Sequence, residues 1–230
     1  MRRIGIALTT LLLTVACSGQ KTEKMTREFT AEEFDRHYEQ KSKGLEAVLG
    51  KSHNLVGHAI IPFEVGGAVD MYYYPNGLKG TGFATMELIQ PDGTGPVPNR
   101  NGTYELVAFT RLPYTSDTTE THPFNLIERR TCGIFTAIGS YSFEAKLEPG
   151  ETLEIPEEDG PNKCIVFDEY NPGDKDFFIG DKRHGLLLVI EVFQEEMEYA
   201  MESGSAELLK KLKAKGYYPY SDLDRPSVIK

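Results

Sequence analysis

Read for the spacing of its apolar positions, the chain opens with a hydrophobic run, residues 4–16, and turns polar before any periodic pattern begins. The first period is helical. Phe34, Tyr38, Leu45, Val48 and Leu49 make one stripe, with Thr30-Ala31-Glu32-Glu33 ahead of it and Gly50 behind. Thr30 and Glu33 stand at capping-box spacing, where each side chain satisfies the other's amide, and a glycine suits the stop. Strand-like segments follow at residues 55–61, 69–74, 83–89 and 104–110, with a Pro- and Gly-rich loop over residues 91–102. Thr121-His122-Pro123 opens a second helix that carries Phe124, Ile127, Ile134, Ile138 and Tyr141 at helical spacing. Strands are predicted at residues 152–155 and 163–168, then a charged loop over 169–185. Leu186-Leu187-Leu188-Val189-Ile190 lacks alternation, which suits a central strand covered on both faces. Residues 195–202 predict a short acidic helix. Ser205 is expected to cap a last one, which Gly216 closes. This order predicts one α+β domain, with helices flanking a mostly antiparallel or mixed central sheet.

The opening run is a leader. Arg2 and Arg3 precede thirteen residues, which as a helix rise only about 20 Å against a bilayer core of about 30 Å. The run ends in Leu13-Thr14-Val15-Ala16-Cys17, which resembles a bacterial lipobox, with Thr14 where leucine is commoner. The expectation is a lipoprotein signal peptide over residues 1–16, then a lipidated Cys17 and a polar tether to residue 29. The domain then covers residues 30–230. Ser18 after the cysteine resembles lipoproteins sent to the outer membrane where the cell has one. An ordinary secretory signal cut near Ala16 is the rival reading.

Charge narrows the partners. Asp and Glu outnumber Lys and Arg by 35 to 25, a net −10 before the leader takes away Arg2 and Arg3. Such a surface repels phosphate backbones, so nucleic acid is excluded as a partner. Residue chemistry points to no cofactor, no metal and no catalytic set. His53 and His58 lack ligand spacing, and Asp174, Asp176 and Asp181 lack the glycine and final glutamate of a calcium loop. Glu191, Glu195, Glu196, Glu198 and Glu202 read as a solvated helix face. Cys132 and Cys164 sit beside apolar residues and read as buried thiols, either of which could face His184 as a Cys-His pair. In an oxidising envelope the two can also pair with each other, closing a loop worth roughly 3–4 kcal/mol.

From Val69 onward the chain resembles the suppressor-of-fused (SUFU) domain family. Tyr104-Glu105-Leu106 with Phe109-Thr110-Arg111-Leu112 is similar to that family's G-F-E-L-T-F-R-L strand, and Ile138-Gly139-Ser140-Tyr141-Ser142-Phe143 to its L-A-R-Y-V-F. Gly150-Glu151 falls where the family carries Gly-Asp. The match is most specific from Gly185 through Glu195-Glu196-Met197 and Gly204-Ser205-Ala206-Glu207-Leu208-Leu209 to Ser221-Asp222-Leu223-Asp224-Arg225. The resemblance implies a non-enzymatic module that binds another polypeptide. In animal members the domain holds a short extended peptide of a transcription factor, and a second domain completes the clamp. Such a factor is incompatible with an envelope address, whereas some bacterial relatives resemble immunity proteins that block toxins. The helix-end tyrosine and the acid after it, which help form the family's cleft, map here onto Tyr141 and Glu151. The rival expectations are a secreted hydrolase using a carboxylate pair that includes Glu191 or Glu195, and a purely structural envelope lipoprotein.

Overall fold

Thr30 caps the first helix as its position predicts. In the computed structural model, which describes residues 29–230, its hydroxyl accepts the Glu33 amide at 3.2 Å. The Glu33 carboxylate takes the Thr30 amide at 3.0 Å. The leader and Cys17 lie outside the described residues. The capped helix, α1 (Ala31–Leu49), is followed by β1 (Val56–Gly57), β2 (Met71–Tyr74), β3 (Thr81–Ala84) and β4 (Tyr104–Thr110). Then come α2 (Pro123–Ser142), β5 (Thr152–Ile155), β6 (Lys163–Glu169), β7 (Phe177–Ile179), β8 (Lys182–Val192), α3 (Gln194–Ser203) and α4 (Ser205–Ala214). The strands form one sheet in the order β1-β2-β3-β4-β8-β6-β5, with β7 on the first residues of β8. Every pairing is antiparallel except β4 with β8, so the sheet is mixed.

The uninterrupted apolar run is central and covered on both faces. Leu186, Leu188, Ile190 and Val192 point into a core shared with α1, α3 and α4. Leu187 and Val189 point the other way, into a core shared with α2. Side-chain alternation in β8 therefore binds the two layers together. Gly44 lets α1 lie against β7, since a Cβ there would stand 1.9 Å from the Phe178 carbonyl oxygen.

Several expectations need correcting. The strand predicted at residues 83–89 stops at Ala84, because a buried side chain captures the backbone beyond it. The Glu105 carboxylate accepts the amides of Leu88 (3.3 Å) and Ile89 (3.0 Å) and the Thr85 hydroxyl (2.7 Å). Lys41 of α1 reaches the same carboxylate at 2.7 Å, and its amine also donates to the carbonyls of Met86 and Ile89, each at 2.6 Å. The strand predicted at residues 55–61 shrinks to β1, since Asp70 takes the Ala59 amide at 2.9 Å and turns the chain outward. The charged loop at 169–185 holds β7 and the start of β8. Ser205 begins α4 and makes no side-chain cap. Cys132 and Cys164 are free thiols, and the disulfide does not form: Cys132 packs on the α2 side of the sheet and Cys164 on the opposite side.

Lys41 is 1% and Glu105 0% exposed, so each is a charge that water does not reach. Lys41→Met strands the carboxylate and is expected to destabilise by about 3–5 kcal/mol, read as a fall in the urea midpoint. Adding Glu105→Leu is expected to restore nothing, since the Thr85, Leu88 and Ile89 donors then lose their acceptor. Full recovery in the double variant would mean that the pair serves charge balance alone.

Candidate partner-binding surface

Tyr141 lies in the last turn of α2 and is exposed, as is Glu151 at the threshold of β5. The Tyr141 carbonyl accepts the amides of Glu144 and Ala145, each at 3.0 Å, which turns the chain off the helix. Glu151 accepts the Glu148 amide at 2.9 Å and so closes its own turn. Buried Tyr104 connects the two regions, with its phenol near Ser142 and within electrostatic reach of Glu148 and Glu151. Burial pushes that phenol up, Ser142 pulls it back, and the two glutamates add to the rise.

Sequence reasoning missed the apolar surface beside Tyr141. Ile60 is fully exposed, and Ile61, Val65 (74%) and, past the end of α2, Phe143 are exposed as well. Phe63 anchors this loop on α2: its ring lies 6.3 Å from that of Phe143, and Gly139 leaves room for it. On the other flank, Phe34 and Tyr38 of α1 share a groove of about 180 Å³ with Glu64 of the same loop. Large apolar side chains exposed together on one loop and the helix end it packs on mark a candidate interaction surface. Ile60-Ile61-Pro62-Phe63, whose proline breaks the strand pattern, was the available signal.

A polar clasp holds the loop to the sheet. One Asp70 oxygen binds the Ala59 amide and the other the His58 ring at 2.7 Å, while the Asp70 amide donates to Glu87 at 3.2 Å. The second Glu87 oxygen accepts the Met86 amide at 3.2 Å. Burial, then the nearby Glu105 and Asp70 charges, push the Glu87 carboxyl from 4.5 to about 8 against the pull of the Met86 amide. A carboxyl protonated at neutral pH beside an acidic neighbour in a groove has the form of an acid–base site. Here, however, all four oxygens already have protein partners.

The carboxylates singled out for hydrolysis are likewise engaged. Glu191 is gripped by the Arg130 fork, whose Nε lies 2.6 Å from one oxygen. Glu195 pairs with Lys230 at 2.8 Å, and Glu196 takes both Arg225 nitrogens at 2.7 Å. Glu198 accepts Gln194 at 3.0 Å. His184 bonds the Thr103 hydroxyl at 2.7 Å, so the thiols and this imidazole do not form a Cys-His pair. His53 stacks on Tyr114 with ring centroids 4.2 Å apart, and Asp176 pairs with Arg183 at 2.9 Å. No group of three or more metal-ligating side chains occurs among the described residues.

No family model matches the chain, and no curated protein matches it. Among solved structures the chain is similar to one described as the Sufu-Fu complex crystal structure, with a TM-score of 0.53 and 15% identity. The alignment covers 86% of this chain and 91% of that one. The fold is accordingly SUFU-like, a single α+β domain.

The clasp makes a pH prediction. The folded chain keeps the Glu87 proton up to about pH 8, while the unfolded chain releases it near 4.5, so this contribution to stability falls as pH rises through that window. His184 acts oppositely: burial, then Lys182 and Lys41, lower it from 6.5 to about 4, and its contribution grows as pH rises between those values. Glu87→Gln isolates the first effect. The variant is expected to match or exceed the parent in urea midpoint above about pH 8 and to lose the decline seen in the parent. An unchanged decline would remove Glu87 as its source.

Proposed function

We propose that this chain is a non-catalytic binding module, tethered in a bacterial envelope by lipid on Cys17, that grips another polypeptide. The contact surface runs from α1 across the loop at residues 58–66 to the end of α2. The observation that carries this reading is the exposed apolar group of Ile60, Ile61, Val65 and Phe143 beside Tyr141. Holding such side chains in water is unfavourable, and a covering partner recovers that free energy. A purely structural lipoprotein has no use for them. The adjoining β1 is a two-residue edge strand, beside which an extended segment can lie. The Sufu-Fu complex pairs a protein of this fold with another protein, which supports a polypeptide occupant over a small molecule. The net negative charge, which loss of Arg2 and Arg3 deepens, suits a basic partner, and a toxin neutralised by an immunity-type lipoprotein is one form of that pairing. Glu151, which like Ser142 at that end of α2 acts on the Tyr104 phenol, is a candidate acid for the same contact.

A photo-crosslinking residue at Ile60 or Phe143, in cells of the source type, is expected to give one discrete polypeptide adduct. The same probe at the exposed Met201 of α3 is expected to give none. Adducts to lipid alone would turn the surface into a membrane contact and overturn the reading, as would equal labelling from Met201. For the anchor, Cys17→Ser is expected to move the chain from the membrane to the soluble fraction, and intact mass should show acyl chains on a mature N-terminal cysteine. A soluble parent or an unmodified Cys17 would refute the anchor.

A further inference from the structure

At the opposite end of α2 lies a cleft of about 320 Å³ that the apolar surface does not include. Glu128 and Tyr141 are thirteen residues apart on the helix, about 20 Å at the α-helical rise. The cleft is walled by Tyr73, Tyr114 and Phe124. The Tyr114 ring stands 5.2 Å from that of Tyr73 and 5.5 Å from that of Phe124. A polar strap closes one side. Asn125 of α2 holds the strap by donating to the carbonyls of Asp117 (2.7 Å) and Thr119 (2.9 Å).

Glu128 is half-buried among these rings and accepts the Tyr73 hydroxyl. Glu128 lines the cleft together with both tyrosines, and after burial it raises both phenols, Tyr73 through its hydrogen bond and charge and Tyr114 through its charge. No basic side chain among the described residues forms an ion pair with it. Arg129, its neighbour in the chain, bonds instead to the Glu120 carbonyl oxygen at 2.5 Å. Asp117, on the strap, adds a second carboxylate that its bonds to Thr119 keep ionised. With Arg129 counted, the cleft remains net acidic.

A partly desolvated carboxylate ringed by aromatic side chains, with no cation of its own, is chemically incomplete. We propose that the cleft receives the cationic end of a lysine or arginine side chain from the polypeptide partner. The charge meets Glu128, and the aliphatic stem lies along Tyr114 and Phe124. The rings favour such a group by cation–π attraction and by covering its methylenes. The binding-module reading supplies the source of the cation, while the cleft's own chemistry is independent of it.

The test titrates the whole mature domain with Nα-acetyl-arginine amide and follows the Tyr73 and Tyr114 ring resonances by NMR. Saturable shifts are expected, weakening with added salt. The neutral citrulline analogue, and the arginine probe on Glu128→Gln, should each bind at least about fivefold more weakly. Glu128→Gln keeps an acceptor for Tyr73. Tyr114→Leu removes one wall without touching the charge and should weaken binding as well, with thermal unfolding reporting whether either variant folds. Equal binding of the citrulline analogue, no loss in Glu128→Gln, or no saturable shift would overturn the proposal. Tetramethylammonium binding where the arginine probe fails would assign the cleft to a small organic cation and overturn the side-chain source. Because the crosslink at Phe143 lies at the other end of α2, a failed titration with that adduct intact defeats the cleft alone. A lost adduct with the titration intact defeats the partner surface.

Discussion

The buried pair between Lys41 and Glu105 is the constraint on which the working parts of this molecule depend. Alone it is a poor source of stability, because desolvating two charges cancels most of their attraction. Its value lies in the register it imposes. The Glu105 carboxylate collects Lys41, the Thr85 hydroxyl and the amides of Leu88 and Ile89, while the Lys41 amine returns to the carbonyls of Met86 and Ile89. Side chains thus replace a neighbouring strand for a segment that has none, and the backbone there is satisfied without a sheet. The segment so fixed carries Glu87, which binds Asp70. Asp70 in turn bends the chain at His58 and Ala59 and pushes Ile60 and Ile61 into solvent. One ion pair in the core thereby sets the pose of a loop on the surface.

That chain of dependence explains which features could be read from the sequence and which could not. The α1 capping box, the central strand and the α2 stripe are each written in neighbours within a few residues, and all three formed, except that Tyr141 at the end of the stripe is exposed. The endings of two strands depended on partners 16 to 20 and 11 positions away, which a local pattern does not contain. Glu105 alternates with Tyr104 and Leu106 as an outward-facing residue would, yet it is fully buried because β4 is covered on both sides. Lys41 did leave a trace. It stands three residues after Tyr38 and four before Leu45, on the apolar stripe of α1, where a lysine must find a buried acceptor. The two cysteines stay thiols, as read first, and the alternative pairing is ruled out for a related reason: which face of the sheet a residue meets is a property of tertiary packing.

The segment that most resembles the SUFU family turns out to be architectural. Asp222 takes the Thr110 hydroxyl at 2.5 Å and the Arg111 amide at 2.8 Å, and Ser221 donates to the Val189 carbonyl at 3.0 Å. Arg225 forks onto Glu196 while lying over the rings of Phe193 and Tyr217. These bonds dock the C-terminal strip against β4, β8 and α3. Fold-level likeness is strongest where residues build the fold, and function has to be argued from other positions. Tyr141 and Glu151 are the family-derived candidates, both exposed, and Tyr141 adjoins a surface that the likeness did not point to.

The cleft and the Tyr141–Phe143 part of the apolar surface sit at opposite ends of α2, and that spacing limits what can occupy both. Glu128 and Tyr141 are separated by about 20 Å along the helix. An extended chain advances about 3.3 Å per residue, so one segment reaching both needs a basic residue and an apolar residue about six positions apart. A helical segment needs about thirteen. A basic side chain in the acidic cleft would fix polarity and register, while the apolar end, with more area to cover, would supply most of the affinity. That division matches the physics of the two sites: a single half-buried carboxylate discriminates well and adds little binding free energy, whereas exposed isoleucine, valine and phenylalanine add much and discriminate poorly.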